Sequence, residues 1–400
     1  MVLLLIAVCL VAANMRPTIT ALGPLVDQIG ADTGMSVAAL GTLAAVPLAA
    51  WALFSPLAHD LSRRYGQSQV LMVSLLVLLA GTLVRSIPGP IVSLWIGTAL
   101  IGVALAIVNV LMPAVVKRDF AGHVPIVTAL YTALLGGFGA IASGVVVPIS
   151  HIDVGGEPGG WRFALLVSGA ALLPLAVVAW WWTHRGAQHA HVRSPEHRGR
   201  TGIWRDRVAW QVAAYMGLQA SMFYMLVTWM ATISMDTGRS EVVAGVDVMI
   251  YQLFSLVGSL TLPVLLRGRL ERWAPAFIPS LAIIGTIGLM LAPQLILLWA
   301  PMLGMSSGAT LGMTLTLISQ RARDHDASAA LSGMSQSVGY VVASFGPIAF
   351  GTLHTLTGGW EASLGLLLMV LVGLVVVGVF AGRERYVLDG RRAKDGSPVS

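Results

Sequence analysis

Long apolar runs separated by short polar loops recur along almost the whole chain. Each run has about the 20 residues that a helix needs to cross the hydrocarbon core of a bilayer. The runs are continuous rather than alternating, which favours helices over barrel strands. We predict an all-α membrane protein with twelve transmembrane helices, here called spans 1 to 12, at about residues 2–25, 36–59, 69–87, 91–116, 124–149, 161–182, 208–233, 241–266, 274–292, 294–318, 328–353 and 360–381.

Basic residues mark one side of the predicted helices. Twenty of the 24 lysines and arginines fall in the loops that follow even-numbered spans or in the C-terminal tail. Cytoplasmic loops of membrane proteins are enriched in Lys and Arg, so we expect both termini in the cytoplasm. No basic region precedes span 1, so we expect no cleavable signal peptide, and a true start upstream of Met1 stays open.

A polar segment after span 6 divides the chain. We predict an N-terminal six-helix bundle at 1–182, a cytoplasmic linker at 183–207, a C-terminal six-helix bundle at 208–382 and a cytoplasmic tail at 383–400. Histidines at this spacing can bind a metal ion, but the composition favours a solvated linker, which is our prediction. They are His184, His189, His191 and His197.

Three short strings recur in the second half of the chain, in order and in register. Residues 32–36 (DTGMS) return 204 positions later as 236–240 (DTGRS). The string GGW opens spans 6 and 12, and KRD and RARD close spans 4 and 10. We therefore predict two parallel six-helix repeats related by an axis along the membrane normal.

Composition excludes several classes of protein. The chain is 56% hydrophobic and 10% charged, whereas soluble domains are about 25% charged. The net charge is +6, and the basic residues lie in the loops between apolar spans rather than on one soluble patch. We therefore expect the protein to reside in a lipid bilayer and to bind no nucleic acid. The single cysteine, Cys9, provides neither a disulfide framework nor a thiolate metal site. Without a Walker loop, a catalytic triad or a metal cluster, we expect no enzyme activity, no cofactor and no metal.

One permanent charge, Arg16, lies inside span 1. A guanidinium keeps its proton, and at the centre of a membrane helix it costs about 3 kcal/mol on insertion scales. We therefore predict that Arg16 binds the substrate in a wet cavity; pairing with a buried acid or with helix-end carbonyls is the structural alternative. Pro17 follows directly and removes a backbone donor, so we expect the helix to be bent or loosened there.

Four strings together resemble the cyanate and 2-nitroimidazole transporter family of the major facilitator superfamily. They are residues 14–17 (NMRP), 109–113 (NVLMP), the Gln219, Tyr224 and Trp229 set, and 331–340 (LSGMSQSVGY). The resemblance covers nearly the whole chain and implies the superfamily's fold, a small substrate and secondary transport. Residues 59–66 (HDLSRRYG) resemble the superfamily's cytoplasmic loop motif, which predicts a gating loop formed by Asp60, Arg64 and Gly66.

Amide and aromatic side chains supply the other candidates for substrate binding. In the fold that the resemblance implies, spans 1, 4, 7 and 10 line a central cavity. Amides can equally tie helices together, and aromatic rings can equally serve packing. Gln336 and Tyr340 are four residues apart and share a helix face. The predicted substrate-binding residues are Arg16, Asn14, Asn109, Tyr131, Gln219, Tyr224, Trp229, Gln336 and Tyr340.

Asp247 is the carboxylate that lies most clearly within a span. Burial raises the affinity of a carboxylate for a proton, so we predict Asp247 as the proton-coupling residue, with H+ as the candidate coupling ion. A satisfied aspartate that only joins helices is the alternative.

We predict a monomeric secondary transporter in the cytoplasmic membrane of a bacterium. It moves a small polar or anionic solute, such as cyanate, a nitro-heterocycle or a small organic anion, by alternating access. Two alternatives stay open: a multidrug efflux transporter of the same fold, and a membrane sensor that transports nothing. Substrate and direction of transport also stay open.

Overall fold

The computed structural model describes residues 2–185, 202–266 and 271–389. Within these ranges the chain is almost entirely helical, and the predicted all-α fold is confirmed. Among the described residues, eleven segments are long and apolar enough to cross a membrane. The twelfth, His325–Thr357, has 33 residues, and polar residues such as Ser335 and Gln336 dilute its apolar character. The uninterrupted spans are Val37–Phe54, Gln67–Arg85, Ile91–Asp119, Val124–Ser150, Arg207–Asp236, Glu241–Leu265, Ala274–Leu291, Ile296–Gln320, His325–Thr357 and Glu361–Ala381.

Spans 1 and 6 are interrupted. Span 6 consists of Gly160–Ala170 and Leu173–His184, with Pro174 at the start of its second piece. Span 1 is interrupted at Arg16, where the sequence predicts it, because Pro17 has no N–H to donate. Its pieces are the helices Val2–Met15, Pro17–Thr20 and Val26–Thr33, with the 3-10 turn Gly23–Leu25 between the last two.

Short elements occupy the ends of the spans. The predicted span 2 is too long, because the helix ends before Pro56 and a separate polar helix, Leu57–Tyr65, follows it. A two-stranded antiparallel hairpin, Asp153–Val154 paired with Glu157–Pro158, connects spans 5 and 6. We call the end of the molecule that carries this hairpin the hairpin end. A 3-10 turn, Ile203–Arg205, precedes span 7 at the opposite end.

The spans pack mainly within their own half of the chain. Span 1 packs on spans 5 and 6, and span 4 on spans 2 and 3; in the second half, span 7 packs on spans 11 and 12, and span 10 on spans 8 and 9. Span 2 against span 11 and span 5 against span 8 join the two halves. The predicted bundle boundaries stay a prediction. Linker residues 186–201, with three of the four linker histidines, and tail residues 390–400 lie outside the described residues.

The halves approach each other most closely toward the hairpin end. A Cβ atom added to Gly41 of span 2 would lie 2.5 Å from the Pro347 carbonyl oxygen of span 11. Gln28 Nε2 of span 1 donates to Glu241 Oε2 of span 8 at 2.7 Å. The described hydrogen bonds between the halves all lie from mid-depth toward this end. The bundles are therefore closed together at the hairpin end.

Candidate functional site

Arg16 lies at the boundary between the two halves. Its side chain is partly exposed, and its Cζ atom lies 5.0 Å from the centroid of the Phe223 ring in span 7. Such a cation–π contact contributes roughly 0.5–2 kcal/mol, depending on desolvation. Among the described residues Arg16 forms no ion pair with a carboxylate. Its charge is therefore held in place without being neutralised.

A hydrogen-bonded chain fixes the backbone around Arg16. Gly139 of span 5 makes room for the arginine stem, because a Cβ atom there would lie 2.8 Å from Arg16 Cβ. Thr20 Oγ1 donates to the Gly139 carbonyl at 2.8 Å, and Ser143 Oγ donates to the Thr20 carbonyl at 3.0 Å. Gln252 Nε2 of span 8 then donates to Ser143 Oγ at 2.6 Å. The site thus joins spans 1, 5 and 8 at mid-depth.

Four tyrosines lie close enough to Arg16 to interact with its charge. Their phenol groups come from spans 5, 7, 8 and 11 and can donate hydrogen bonds to an anion. The Tyr131 hydroxyl lies 3.2 Å from Met15 Sδ, and the Tyr251 hydroxyl donates to Ser307 Oγ at 3.0 Å. The four are Tyr131, Tyr224, Tyr251 and Tyr340.

Trp51 of span 2 completes the aromatic surroundings and was missed by the sequence analysis. Its ring meets Tyr340 and Tyr224 edge-on, with centroids 5.0 Å and 6.1 Å away. Its indole Nε1 is buried and has no hydrogen-bond partner within the described part of the chain. A lone tryptophan in an apolar helix suggests packing, so no sequence signal singles it out. Phe223 was missed for the same reason, although it precedes Tyr224 of the family string.

Two other predicted binding residues have structural contacts instead. Trp229 is fully buried, and its Nε1 donates to the Pro347 carbonyl of span 11 at 3.1 Å. Asn14 is also buried, and its Nδ2 donates to the Leu10 carbonyl one turn earlier at 2.6 Å. These hydrogen bonds give the side-chain nitrogen of each residue a partner without a ligand. The role of Trp229 and Asn14 in substrate binding stays a prediction.

Three predicted binding residues with amide side chains remain: Gln336, Asn109 and Gln219. Gln336 Nε2 donates along its own helix to Ser332 Oγ at 2.9 Å, one turn from Tyr340. Asn109 is partly exposed in span 4, and Gln219 is buried in span 7. The structure therefore brings Tyr131, Tyr224 and Tyr340 to Arg16, and it gives no such contact for these amides among the described residues.

Asp247 is fully buried and has an ion partner. Its two carboxylate oxygens accept from Arg239 Nε and Nη2, both at 2.9 Å, and Ser234 Oγ donates to it at 2.6 Å. All three residues belong to the second half of the chain. This closed ion pair gives Asp247 a structural role, and its role as proton carrier stays a prediction.

The predicted gating loop lies at the end opposite the hairpin. Asp60 and Arg64 are exposed on the short helix Leu57–Tyr65, and no ion pair joins them among the described residues. Gly66 ends this helix with a φ of 85°, a backbone conformation that favours glycine. The chain turns at Gly66, and the gating role of this loop stays a prediction.

Metal ligands were not expected from the sequence. Within the described ranges no group of three or more His, Cys, Asp or Glu side chains could hold a metal ion. Linker residues His189, His191 and His197 fall outside those ranges.

Comparisons with known proteins agree with this architecture. The family model of the Major Facilitator Superfamily matches residues 4–347. The chain is 35% identical to the 2-nitroimidazole transporter of Escherichia coli, over 96% of this chain and 97% of that protein. It is 26% identical to the cyanate transport protein CynX of the same organism, over 94% and 96%.

Solved structures show the same fold. A bacterial homologue of the human lysosomal transporter Spinster, in an inward-facing and unoccupied conformation, superposes with a TM-score of 0.75 at 16% identity, over 94% of this chain and 93% of that one. Together with the matched family model and the 35% identical relative, the twelve-helix arrangement shows that this chain belongs to the major facilitator superfamily, as a multi-pass membrane transporter of small solutes that resembles the cyanate and 2-nitroimidazole transporters.

Proposed function

We propose that this protein carries a small, flat anion across a bacterial cytoplasmic membrane by alternating access, with Arg16 as the cation that binds it. The observation that carries the proposal is a partly exposed guanidinium at the boundary between the two halves that forms no ion pair with any carboxylate in the described part of the chain. The names of two relatives, a 2-nitroimidazole transporter and a cyanate transport protein, support a small polar substrate.

Electrostatics favours an anion at this position. Two unit charges 4 Å apart attract by about 4 kcal/mol at an effective dielectric constant of 20, compared with about 1 kcal/mol in water. A guanidinium also presents a planar fork of donors that fits carboxylate-like or nitro-like groups. The Phe223 ring lies beside the charge, and the Trp51 ring packs against Tyr224 and Tyr340. These aromatic surroundings favour a flat ligand over a bulky one.

Alternating access requires the two bundles to separate at the hairpin end while they close at the other end. Contacts that a rocking motion can break hold this end together: the close approach of Gly41 to Pro347, and the hydrogen bond from Gln28 to Glu241. If both termini are cytoplasmic, as the basic loops predict, this structure is closed toward the outside of the cell.

Proton coupling follows from the charge of the proposed substrate. A carrier that accumulates an anion against the membrane potential needs a compensating positive charge, and H+ meets that need. Asp247 is the residue that the sequence predicts for the proton, and its ion pair with Arg239 offers a competing explanation. We therefore propose H+ as the coupling ion without assigning it to Asp247.

The experiment is uptake of radiolabelled cyanate and of benzoate into proteoliposomes that contain the wild type, Arg16→Ala or Arg16→Lys. We expect Arg16→Ala to abolish uptake of the anion that the wild type carries, and Arg16→Lys to retain a fraction, because it keeps the charge without the planar fork. Arg118→Gln is the matched control, since Arg118 is an exposed arginine paired with Asp119 outside the site. Unchanged uptake by Arg16→Ala would overturn the proposal.

A further inference from the structure

A second arginine is buried in the first half of the chain. Arg85 ends span 3 and is 1% exposed, and it has no carboxylate partner among the described residues. Its Nε and Nη2 atoms are buried without a hydrogen-bond partner in the same part of the chain. An unpaired buried guanidinium is costly, and an apolar side chain of similar size would pack more favourably. This residue therefore needs an explanation other than packing.

The hydrogen bond that Arg85 does make reaches the interruption in span 1. Its Nη1 donates to the Thr18 carbonyl oxygen at 2.7 Å. In an uninterrupted helix this carbonyl would accept from the N–H of Leu22. Here the Leu22 N–H donates to Ile19 instead, at 3.2 Å. Arg85 thus takes the carbonyl that the interruption leaves free, two residues after Arg16.

Close packing holds the Arg85 guanidinium in this position. A Cβ atom added to Gly97 of span 4 would lie 2.6 Å from Arg85 Cα. A Cβ atom added to Gly169 of span 6 would lie 3.2 Å from Thr18 Cγ2 and 3.7 Å from Arg85 Nη2. Spans 1, 3, 4 and 6 converge here, so the guanidinium has little freedom to leave the Thr18 carbonyl.

The second half of the chain provides an internal comparison for span 3. At the offset of 204 residues, Gly81 and Thr82 correspond to Gly285 and Thr286 of span 9. Both threonines are fully buried, and each donates to the carbonyl four residues earlier in its own helix. The register of spans 3 and 9 is therefore the same.

At the same offset the position of Arg85 is occupied by Leu289, which is also 1% exposed. Arg16 corresponds to Ala220 in span 7, which is one continuous helix of 30 residues, Arg207–Asp236. The half with the interrupted first helix has the buried arginine, and the half with the continuous helix has leucine. The pairing links Arg85 to the interruption rather than to the general packing of the fold.

We propose that Arg85 is a positioning residue that holds the interruption in span 1 and so directs the guanidinium of Arg16 toward the ligand. The inference rests on the proposed function, because it assumes that Arg16 binds the anion. Arg85 acts through the backbone of span 1 and does not itself touch the ligand.

The test measures cyanate affinity, by calorimetry on purified protein, in a double-mutant cycle. We expect Arg85→Met to weaken cyanate binding at least tenfold, and Arg85→Lys to restore most of it, because lysine can still donate to the Thr18 carbonyl. If Arg85 acts through Arg16, the double variant Arg16→Ala, Arg85→Met will bind no more weakly than Arg16→Ala alone. A general loss of structure would instead add to the effect of Arg16→Ala.

Controls separate the possible failures. Thr286→Val changes the fully buried threonine at the corresponding position of span 9, in the other half of the chain, and we expect wild-type affinity. If Arg85→Met does not fold, the shorter neutral donor of Arg85→Gln takes its place in the same cycle. Wild-type affinity in a folded Arg85→Met or Arg85→Gln, with Arg16→Ala impaired, overturns this inference alone. Wild-type affinity in Arg16→Ala overturns the proposed function and this inference with it.

Discussion

The two bundles are related by an internal repeat, but they differ in whether the charged side chains inside them are paired. The first bundle holds Arg16 and Arg85 inside its helices, and neither has a carboxylate partner among the described residues. The second bundle holds Asp247, which Arg239 and Ser234 satisfy completely. The first helix of one bundle is interrupted, and the first helix of the other is continuous.

This difference indicates a division of labour. Charges left uncompensated inside a membrane protein are costly and are retained where a function requires them. A closed ion pair is explained by structure alone. We infer that the first bundle contributes the electrostatic part of the site, while spans 7, 8 and 11 of the second contribute rings and hydroxyls around it, with the Phe223 ring centroid 5.0 Å from Arg16 Cζ.

The strongest test of the comparison is the ion pair of the second bundle. We expect Asp247→Asn to destabilise the protein by about 3 kcal/mol, because removing one partner leaves the Arg239 charge partly buried and unpaired. Thermal unfolding of the purified protein measures this loss, with the exposed Asp60→Asn as the control. A fully stable Asp247→Asn variant that no longer responds to a pH gradient would instead support the proton-coupling prediction.

The next test concerns the surface on which the bundles meet. Valine at position 41 of span 2 would collide with the Pro347 carbonyl of span 11, so we expect Gly41→Val to prevent closure at the hairpin end and to lower transport at least tenfold. Gly137→Val is the matched control, because among the described residues no atom outside the neighbouring turns of its own helix lies within 4 Å of the added Cβ. Transport rates in proteoliposomes measure the effect, and equal rates for both variants would contradict it.

A comparable effect is expected at Gln28. Its hydrogen bond to Glu241 joins spans 1 and 8, and a bond to a charged group contributes roughly 1.5–3 kcal/mol. Gln28→Ala should therefore shift the equilibrium toward the state that is open at the hairpin end. Labelling of an engineered cysteine at the buried position Ala244 by a membrane-impermeant reagent measures this shift, in a Cys9→Ser background. Labelling unchanged by Gln28→Ala would show that this bond does not hold the bundles together.

The smallest effect is expected at Trp51. Its buried indole N–H has no partner among the described residues, so we expect it to donate to the bound anion. Trp51→Phe removes the donor and keeps a ring, and should weaken cyanate binding by roughly 1 kcal/mol, or about fivefold. Calorimetry measures this change. Equal affinity would show that Trp51 only packs against Tyr340.

The sequence was sufficient for features that depend on local pattern. Hydropathy predicted the twelve spans, and Pro17 predicted the interruption of span 1. Boundaries were less accurate, as span 11 shows: it was predicted at 328–353 and is observed at His325–Thr357, because polar residues extend a helix that apolar runs alone do not reveal.

Features that depend on which helices meet were not accessible to the sequence. Arg239 was predicted in a loop, yet it folds back eight residues along the chain to Asp247. Arg85 was assigned only to the end of a span, because its partner Thr18 is 67 residues away. Trp51 and Phe223 come from different halves and become neighbours of the same site only in the folded protein.

The central claim, that Arg16 binds an anion between the bundles, is tested most directly by locating a bound anion in a crystal structure. Para-bromobenzoate carries a carboxylate and a heavy atom, so its position appears in an anomalous difference map. We predict its carboxylate at hydrogen-bond distance from the Arg16 guanidinium, with its ring between Phe223 and Trp51. A fully occupied ligand bound elsewhere, with no anion at Arg16, would contradict the account.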